Sequence, residues 1–201
     1  LTQPNGSIPA DADPSTLQSE EREPKIAVSD ALSMKNTVKD SIESRIIAVL
    51  VADGCDGKRV TEFLDKIEKE GGVIQFVAPE MAPVKADDGS LIGPQHSISS
   101  TMSVCFDAVY VAPGETSSQN WLQPDYKNSV VDFINEAYRH CKALFFDKNT
   151  ELIYEQTDIY KQDHKDYAVI LEENNGGDEK FIRAVASHRA WEFEKERNGV
   201  K

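Results

Sequence analysis

Ile46-Ile47-Ala48-Val49-Leu50-Val51 is an unbroken run of β-formers, and it stops at Ala52-Asp53-Gly54-Cys55-Asp56-Gly57, an acidic turn that opens a helix. A strand without a single charge is a strand covered on both faces, as in a parallel sheet flanked by helices. The helix that follows carries Val60, Phe63, Leu64 and Ile67 at positions i, i+3, i+4 and i+7, which form one apolar stripe. Gly71-Gly72 ends it, and Val73-Ile74-Gln75-Phe76-Val77-Ala78 is a second strand closed by Pro79. Strand, helix and strand make a βαβ unit, which predicts parallel pairing and a right-handed crossover.

The pattern repeats outward. Asp87-Asp88-Gly89 lies between Val84-Lys85-Ala86 and Ser90-Leu91-Ile92 and predicts a tight hairpin. Residues 97–103 are rich in Ser and Thr and read as a loop or short helix. Ala108 to Ala112 is a third core strand, ending at Pro113-Gly114. A helix is predicted from about Asp125 to Cys141, with Val130, Phe133, Ile134, Ala137, Tyr138 and Cys141 on its apolar face. Ala143-Leu144-Phe145-Phe146 is the next strand and Tyr167 to Leu171 the last. Asn174 to Gly177 reads as a turn, with Asp178 capping a terminal helix through about Arg197. The expected fold class is α/β: a doubly wound, mostly parallel sheet with helices on both faces, a flavodoxin-like three-layer sandwich. Residues 1–24, punctuated by Pro4, Pro9, Pro14 and Pro24, read as a Pro-rich linker, 25–45 as a connecting segment, and 46–201 as the domain.

The 201 residues carry a formal net charge of −13. Phosphate backbones and anionic membranes both require clustered Lys and Arg, so nucleic acid and membrane surfaces are excluded as expected partners. No stretch reaches the roughly 18 apolar residues of a membrane span. Cys55, Cys105 and Cys141 form no CxxC pair, and His96, His140, His164 and His188 form no HxH or HExxH pair, so no metal site is expected. Cys105 and Cys141 read as small buried apolar groups beside core strands, and His188 as packed on the last helix. The chain opens on Leu1 without an apolar signal core and reads as a piece of a longer protein.

In a doubly wound sheet, ligands bind outside the carboxyl ends of the strands. That rule directs attention to one crevice with Asp53, Cys55, Asp56, Gly114, Glu115 and Asp147 at its edge. Asp56 and Asp147 could act as a carboxylate pair, or serve as caps at helix starts, where the helix dipole favours negative charge. Cys55 begins a helix, which favours a thiolate, but Asp53 and Asp56 flank it and oppose one. There is no GxGxxG, Walker loop or GxSxG. The acidic first turn is also hostile to a flavin phosphate.

At these residues the chain resembles a known superfamily. Asp53-Gly54-Cys55-Asp56 is similar to the first-turn motif of the PfpI-like branch of class I glutamine amidotransferases, where an aromatic residue and a Glu follow Asp-Gly. In that likeness Asp56 matches the Glu, Asp147 matches the catalytic Cys, and Lys148 stands where a His often follows. Within the superfamily the chain resembles the C-terminal domain of large-subunit heme catalases, of fungal type. Phe106-Asp107-Ala108-Val109-Tyr110-Val111-Ala112-Pro113-Gly114, Glu136-Ala137-Tyr138-Arg139-His140-Cys141-Lys142-Ala143 and Ala186-Ser187-His188-Arg189-Ala190-Trp191 carry that likeness, with Ala86 to Gly89.

The resemblance implies an appended domain without catalytic residues of its own. Heme would belong to the parent, a tetrameric hydrogen peroxide dismutase, and no cofactor to this chain. The implied partners are the catalase core, sister subunits and, by analogy with chaperones of the superfamily, unfolded or aggregation-prone client proteins. The alternatives are a cysteine-dependent hydrolase or deglycase using Cys55, and a small-molecule-binding sensor module. With Asp147 and Asp56 both negative, an oxyanion at this corner would be repelled, and Asp147→Asn is expected to leave stability largely intact.

Overall fold

The computed structural model describes residues 29–33, 36, 40–161, 166–172 and 176–199. The Pro-rich segment 1–24 and the stretch 25–28 lie outside them, as do Asn174, Asn175 and His164. The chain divides into two units, Leu1–Asn36 and Thr37–Lys201. In the first, Asp30–Leu32 forms one 3-10 turn, and the Asn36 side-chain amide donates to the Asp30 carbonyl.

The second unit holds the α/β fold. Its elements in chain order are β1 (Ile46–Leu50), α1 (Gly57–Lys69), β2 (Val73–Ala78), β3 (Val84–Lys85), β4 (Leu91–Ile92), β5 (His96–Ser97), β6 (Ala108–Val111), α2 (Glu115–Trp121), α3 (Lys127–Arg139), β7 (Ala143–Phe146), α4 (Glu151–Tyr154), β8 (Val169–Leu171), α5 (Gly177–Ala186) and α6 (Glu194–Arg197). Six strands form one sheet in the order β5-β2-β1-β6-β7-β8, every neighbouring pair parallel. β3 and β4 make the expected antiparallel hairpin, with Gly89 at φ 85° in its turn. Strand order reverses between β1 and β6, so the crevice at that switch point opens where the loops after β1 and β6 leave the sheet.

Alternation along the strands sorts side chains into two cores. Ile47, Val49, Ala108, Tyr110, Ala143 and Phe145 face α1 and α5, where Phe63, Ile67, Phe181 and Val185 close the layer. Ala48, Leu50, Val109, Val111, Leu144 and Phe146 face the other way, against Trp121, Val130, Phe133, Ile134 and Ile153. β1, β6 and β7 are buried along nearly their whole length because both faces are covered. Phe63 and Tyr110 stack with centroids 3.8 Å apart and planes within 8°. α1 ends as its glycines predict. Gly71, at φ 80°, donates to the Glu68 carbonyl and Gly72 to that of Ile67, which satisfies two carbonyls of the last turn. Ile42 precedes β1 and is already buried in the core beneath α1.

Three expectations need correction. The last helix stops at Ala186 and does not run to Arg197: Ser187 caps it and His188 takes φ 67°. A left-handed residue cannot continue a right-handed helix, so the chain turns into a 3-10 turn at Trp191–Phe193 and then α6. His188 therefore lies beyond α5, buried, with Nε2 3.8 Å from Asp107. Asp178 is not the cap of α5, since Gly176 holds that position and Asp178 sits inside the first turn. Cys105, read as buried, is exposed at the end of a 3-10 turn, whereas Cys141 is buried as expected.

Candidate functional site

Four of the six crevice residues come together. A groove of about 510 Å³ is lined by Asp56, Gly114, Glu115 and Asp147, with Gly54, Arg59, Lys148 and Asn149 beside them. Asp53 and Cys55 are not on its wall. Asp53 lines a separate pocket of about 240 Å³ with Glu80, Asn120 and Tyr126, and its Oδ1 accepts from the Lys85 backbone N–H. Cys55 is fully buried under α1. Burial, and then the nearby Asp87 carboxylate, push its thiol up to about 12. Such a thiol is a packing group at neutral pH and supplies no thiolate.

Asp56 is a helix cap. Its Oδ1 accepts from the Arg59 backbone N–H at 2.8 Å, which satisfies one of the four unpaired donors of the first turn of α1. Glu115 opens α2 on the exposed rim. Gly114 takes φ 140°, and a Cβ there would lie 2.6 Å from the Gly54 carbonyl oxygen. Gly54, at φ 81°, would place a Cβ 2.7 Å from that of Thr116. The loops after β1 and β6 thus meet backbone against backbone. Asp56 N–H donates to the Pro113 carbonyl, and the Asn120 side chain donates to that of Asp53.

Asp147 stands at the end of β7, where a nucleophile is expected in the superfamily the chain resembles. Its side chain is 1% exposed. Oδ2 accepts from Tyr110 Oη at 2.6 Å and lies 2.8 Å from Arg59 Nε, while Oδ1 accepts from the Lys148 backbone N–H. The same guanidinium reaches across to Asp178 on α5, and Lys66 pairs with that carboxylate from α1. Arg59, held between two carboxylates, stays protonated at every accessible pH. Its pairing with Arg59 and Lys66 keeps the Asp178 carboxyl below its ordinary value despite burial. Burial and Asp147 push the Tyr110 hydroxyl well above its ordinary range, so it remains a donor.

Two expectations change here. The corner is not doubly negative, because Arg59 neutralises Asp147. The expectation for Asp147→Asn loses its premise, because that change would remove a buried negative charge beside Arg59. Nor is the backbone that of a nucleophile elbow, which strains the nucleophile itself. The left-handed residue is Asn149, two positions on. Arg59, Tyr110, Lys66 and Asp178 were all missed in the sequence. A Lys-Arg pair opening an amphipathic helix reads as a solvated face, and Asp178 is 119 residues from Arg59. Among the described residues no cluster of His, Cys, Asp and Glu could hold a metal ion.

Comparison with known proteins agrees with the fold. Two solved structures share the fold at 14% identity. One is a two-domain protein from Anabaena variabilis with DJ-1/ThiJ/PfpI-like and ferritin-like domains, with a TM-score of 0.52 over 57% of this chain and 34% of that one. The other is the VC2308 protein, with a TM-score of 0.54 over 78% and 92%. Catalase-B of Dictyostelium discoideum is 33% identical over 168 residues, and catalase HPII of Pseudomonas aeruginosa is 31% identical over 172. These matches cover 83% and 85% of this chain but only 23% of either catalase. Catalase-1 of Neurospora crassa is 28% identical over 104 residues, so the relatives do not single out a fungal source. Residues 43–192 match the family model for the C-terminal domain found in long catalases, and the chain belongs to that family.

Proposed function

We propose that this chain is an accessory domain of a long heme catalase, and that it contributes stability to its parent and ATP-independent protection to aggregation-prone client proteins. Hydrogen peroxide dismutation, the heme, and contacts with the catalase core and sister subunits belong to the parent in this reading. The observation that carries it is the Arg59–Asp147–Tyr110 arrangement. A carboxylate that is buried, neutralised and hydrogen-bonded is a structural anchor, with neither a reactive lone pair nor a free proton to offer. The buried Cys55 thiol argues against the hydrolase reading. For client protection, the support is an acidic surface that favours solubility, together with the exposed apolar side chains Met102 and Val104 beside Phe133.

The test compares a full-length parent catalase with a version lacking this segment. The truncated enzyme is expected to keep heme turnover and to lose activity several-fold faster on heating. The isolated chain, at equimolar amounts and without ATP, is expected to slow thermal aggregation of an unrelated protein. Equal inactivation rates would remove the stabilising role, and unchanged aggregation curves the protective one. Amide or glyoxal turnover abolished by Cys55→Ser would replace both with the thiol-hydrolase reading.

A further inference from the structure

A third cavity, of about 230 Å³, opens beyond β7 and shares Asp147 with the crevice. Its aromatic wall is Phe146, Tyr154 and Tyr160. Tyr154 packs edge-on against both neighbours. Its ring centroid is 5.0 Å from that of Phe146 at 63°, and 5.5 Å from that of Tyr160 at 87°. Glu151, Glu155 and Glu172 bring three carboxylates to the same cavity. Glu172 Oε2 accepts from the Gly177 backbone N–H, which pins that side chain at the lip. Asp147 also lines the cavity, but its charge is already taken by Arg59.

Each feature narrows the occupant. Acidic walls repel anions. Neutral apolar molecules would gain nothing from the carboxylates and would force their desolvation. The carboxylates are too dispersed for a metal ion, since no group of three metal-ligating side chains converges among the described residues. Aromatic rings inclined at 63° and 87°, with Tyr160 exposed and acids around them, suit a bulky and weakly hydrated cation that can rest on a ring face. The volume lies below the roughly 300–1,000 Å³ of drug-sized sites, so the fit is to a head group and not to a long molecule. We infer that this cavity binds a small organic cation of the quaternary-ammonium class.

The test is calorimetric titration of the full chain with choline, and with 3,3-dimethylbutan-1-ol, which has the same shape without the charge. Saturable choline binding is expected, with the neutral analogue about tenfold weaker or undetectable. Tyr160 is half-exposed, so Tyr160→Ala leaves the core intact. That variant is expected to weaken choline binding about tenfold, and Tyr160→Phe to restore it, because the ring face and not the hydroxyl supplies the attraction. Glu155→Gln is expected to cost about threefold. Circular dichroism of each variant checks that the fold is kept. Equal affinity for the neutral analogue, an unchanged constant in Tyr160→Ala, or no saturable choline binding would each overturn the assignment.

Discussion

The two ends of the sheet each bury a cation on very different terms, Arg59 at one and Lys142 at the other. At the carboxyl end, the largely buried Arg59 meets the buried carboxylates of Asp147 and Asp178, and the half-exposed Lys66 adds a second cation to Asp178. At the amino end, Lys142 is deeper still, 2% exposed, but its Nζ donates to a backbone carbonyl, that of Ser103. Burial, and then the neighbouring Arg189, bring this ammonium down to about 8. One end is a closed set of ion pairs that ties α1, β6, β7 and α5 together. The other has its own buried pair, Arg197 with Asp166, but beside it holds in Lys142 a charge without a carboxylate, which the fold tolerates at a cost. Depth alone therefore does not decide whether a charge supports a structure; the identity of its partner does.

The sharpest way to break the first arrangement is Arg59→Met. It leaves Asp147 buried with no cation beside it and Asp178 with only Lys66. The expected loss is about 3–5 kcal/mol of unfolding free energy, read from a denaturant midpoint at unchanged slope. A loss below about 1 kcal/mol would mean that water reaches the network and that the carboxyl end is no different from an ordinary surface.

Lys142→Met tests the other end, and with the opposite sign. The Ser103 carbonyl keeps a donor in the Phe106 backbone N–H at 3.1 Å, so removal of the ammonium strands no acceptor. A gain of about 1–2 kcal/mol is expected at pH 6. The pH dependence follows from the direction of the shift. The folded value, about 8, lies below the ordinary 10.5, so over that interval the native chain has released a proton that the unfolded chain still holds. Wild-type stability should therefore rise across the interval relative to the variant, and the advantage of Lys142→Met should shrink. A gain that stays constant to pH 10 would place its origin in packing and not in charge.

The smallest effect concerns acid. Because pairing holds Asp178 below its ordinary 3.8, its contribution is complete above that value and is lost as pH falls through the lower folded value. Asp178→Asn should already be weaker at neutral pH, and the gap to wild type should close only below about pH 3.8. A gap that closes nearer pH 5 would contradict the pairing.

The sheet was legible because both of its faces are covered. A parallel strand buried on each side leaves an uncharged run that nothing else in a soluble chain imitates, and β1, β6 and β7 are such runs. α2 was missed because Glu115-Thr116-Ser117-Ser118-Gln119-Asn120-Trp121 has little helix propensity and follows Pro113-Gly114. The break after α5 was missed because residues 178–197 contain no Gly or Pro, and a His in the left-handed region leaves no compositional trace. The groove was half legible. Topology put Asp56, Gly114, Glu115 and Asp147 at one crevice, but a strand-end residue can also turn inward, as Cys55 does. The charge network was not legible, because the contacts of Arg59 with Tyr110, Asp147 and Asp178 join segments distant in sequence.

The pair Gly54 and Gly114 carries a consequence for how this chain can change. A side chain at Gly114 would meet the Gly54 carbonyl and one at Gly54 the Thr116 side chain, and each glycine sits at a φ that disfavours any other residue. A change at one is tolerated only after the opposite loop has moved, so the two positions are epistatic. A return to chemistry at this corner cannot proceed by restoring a cysteine at 147 alone. It must also redraw two loops together and dispose of the charge on Arg59. The corner is thus held in its present form by changes that only work in combination.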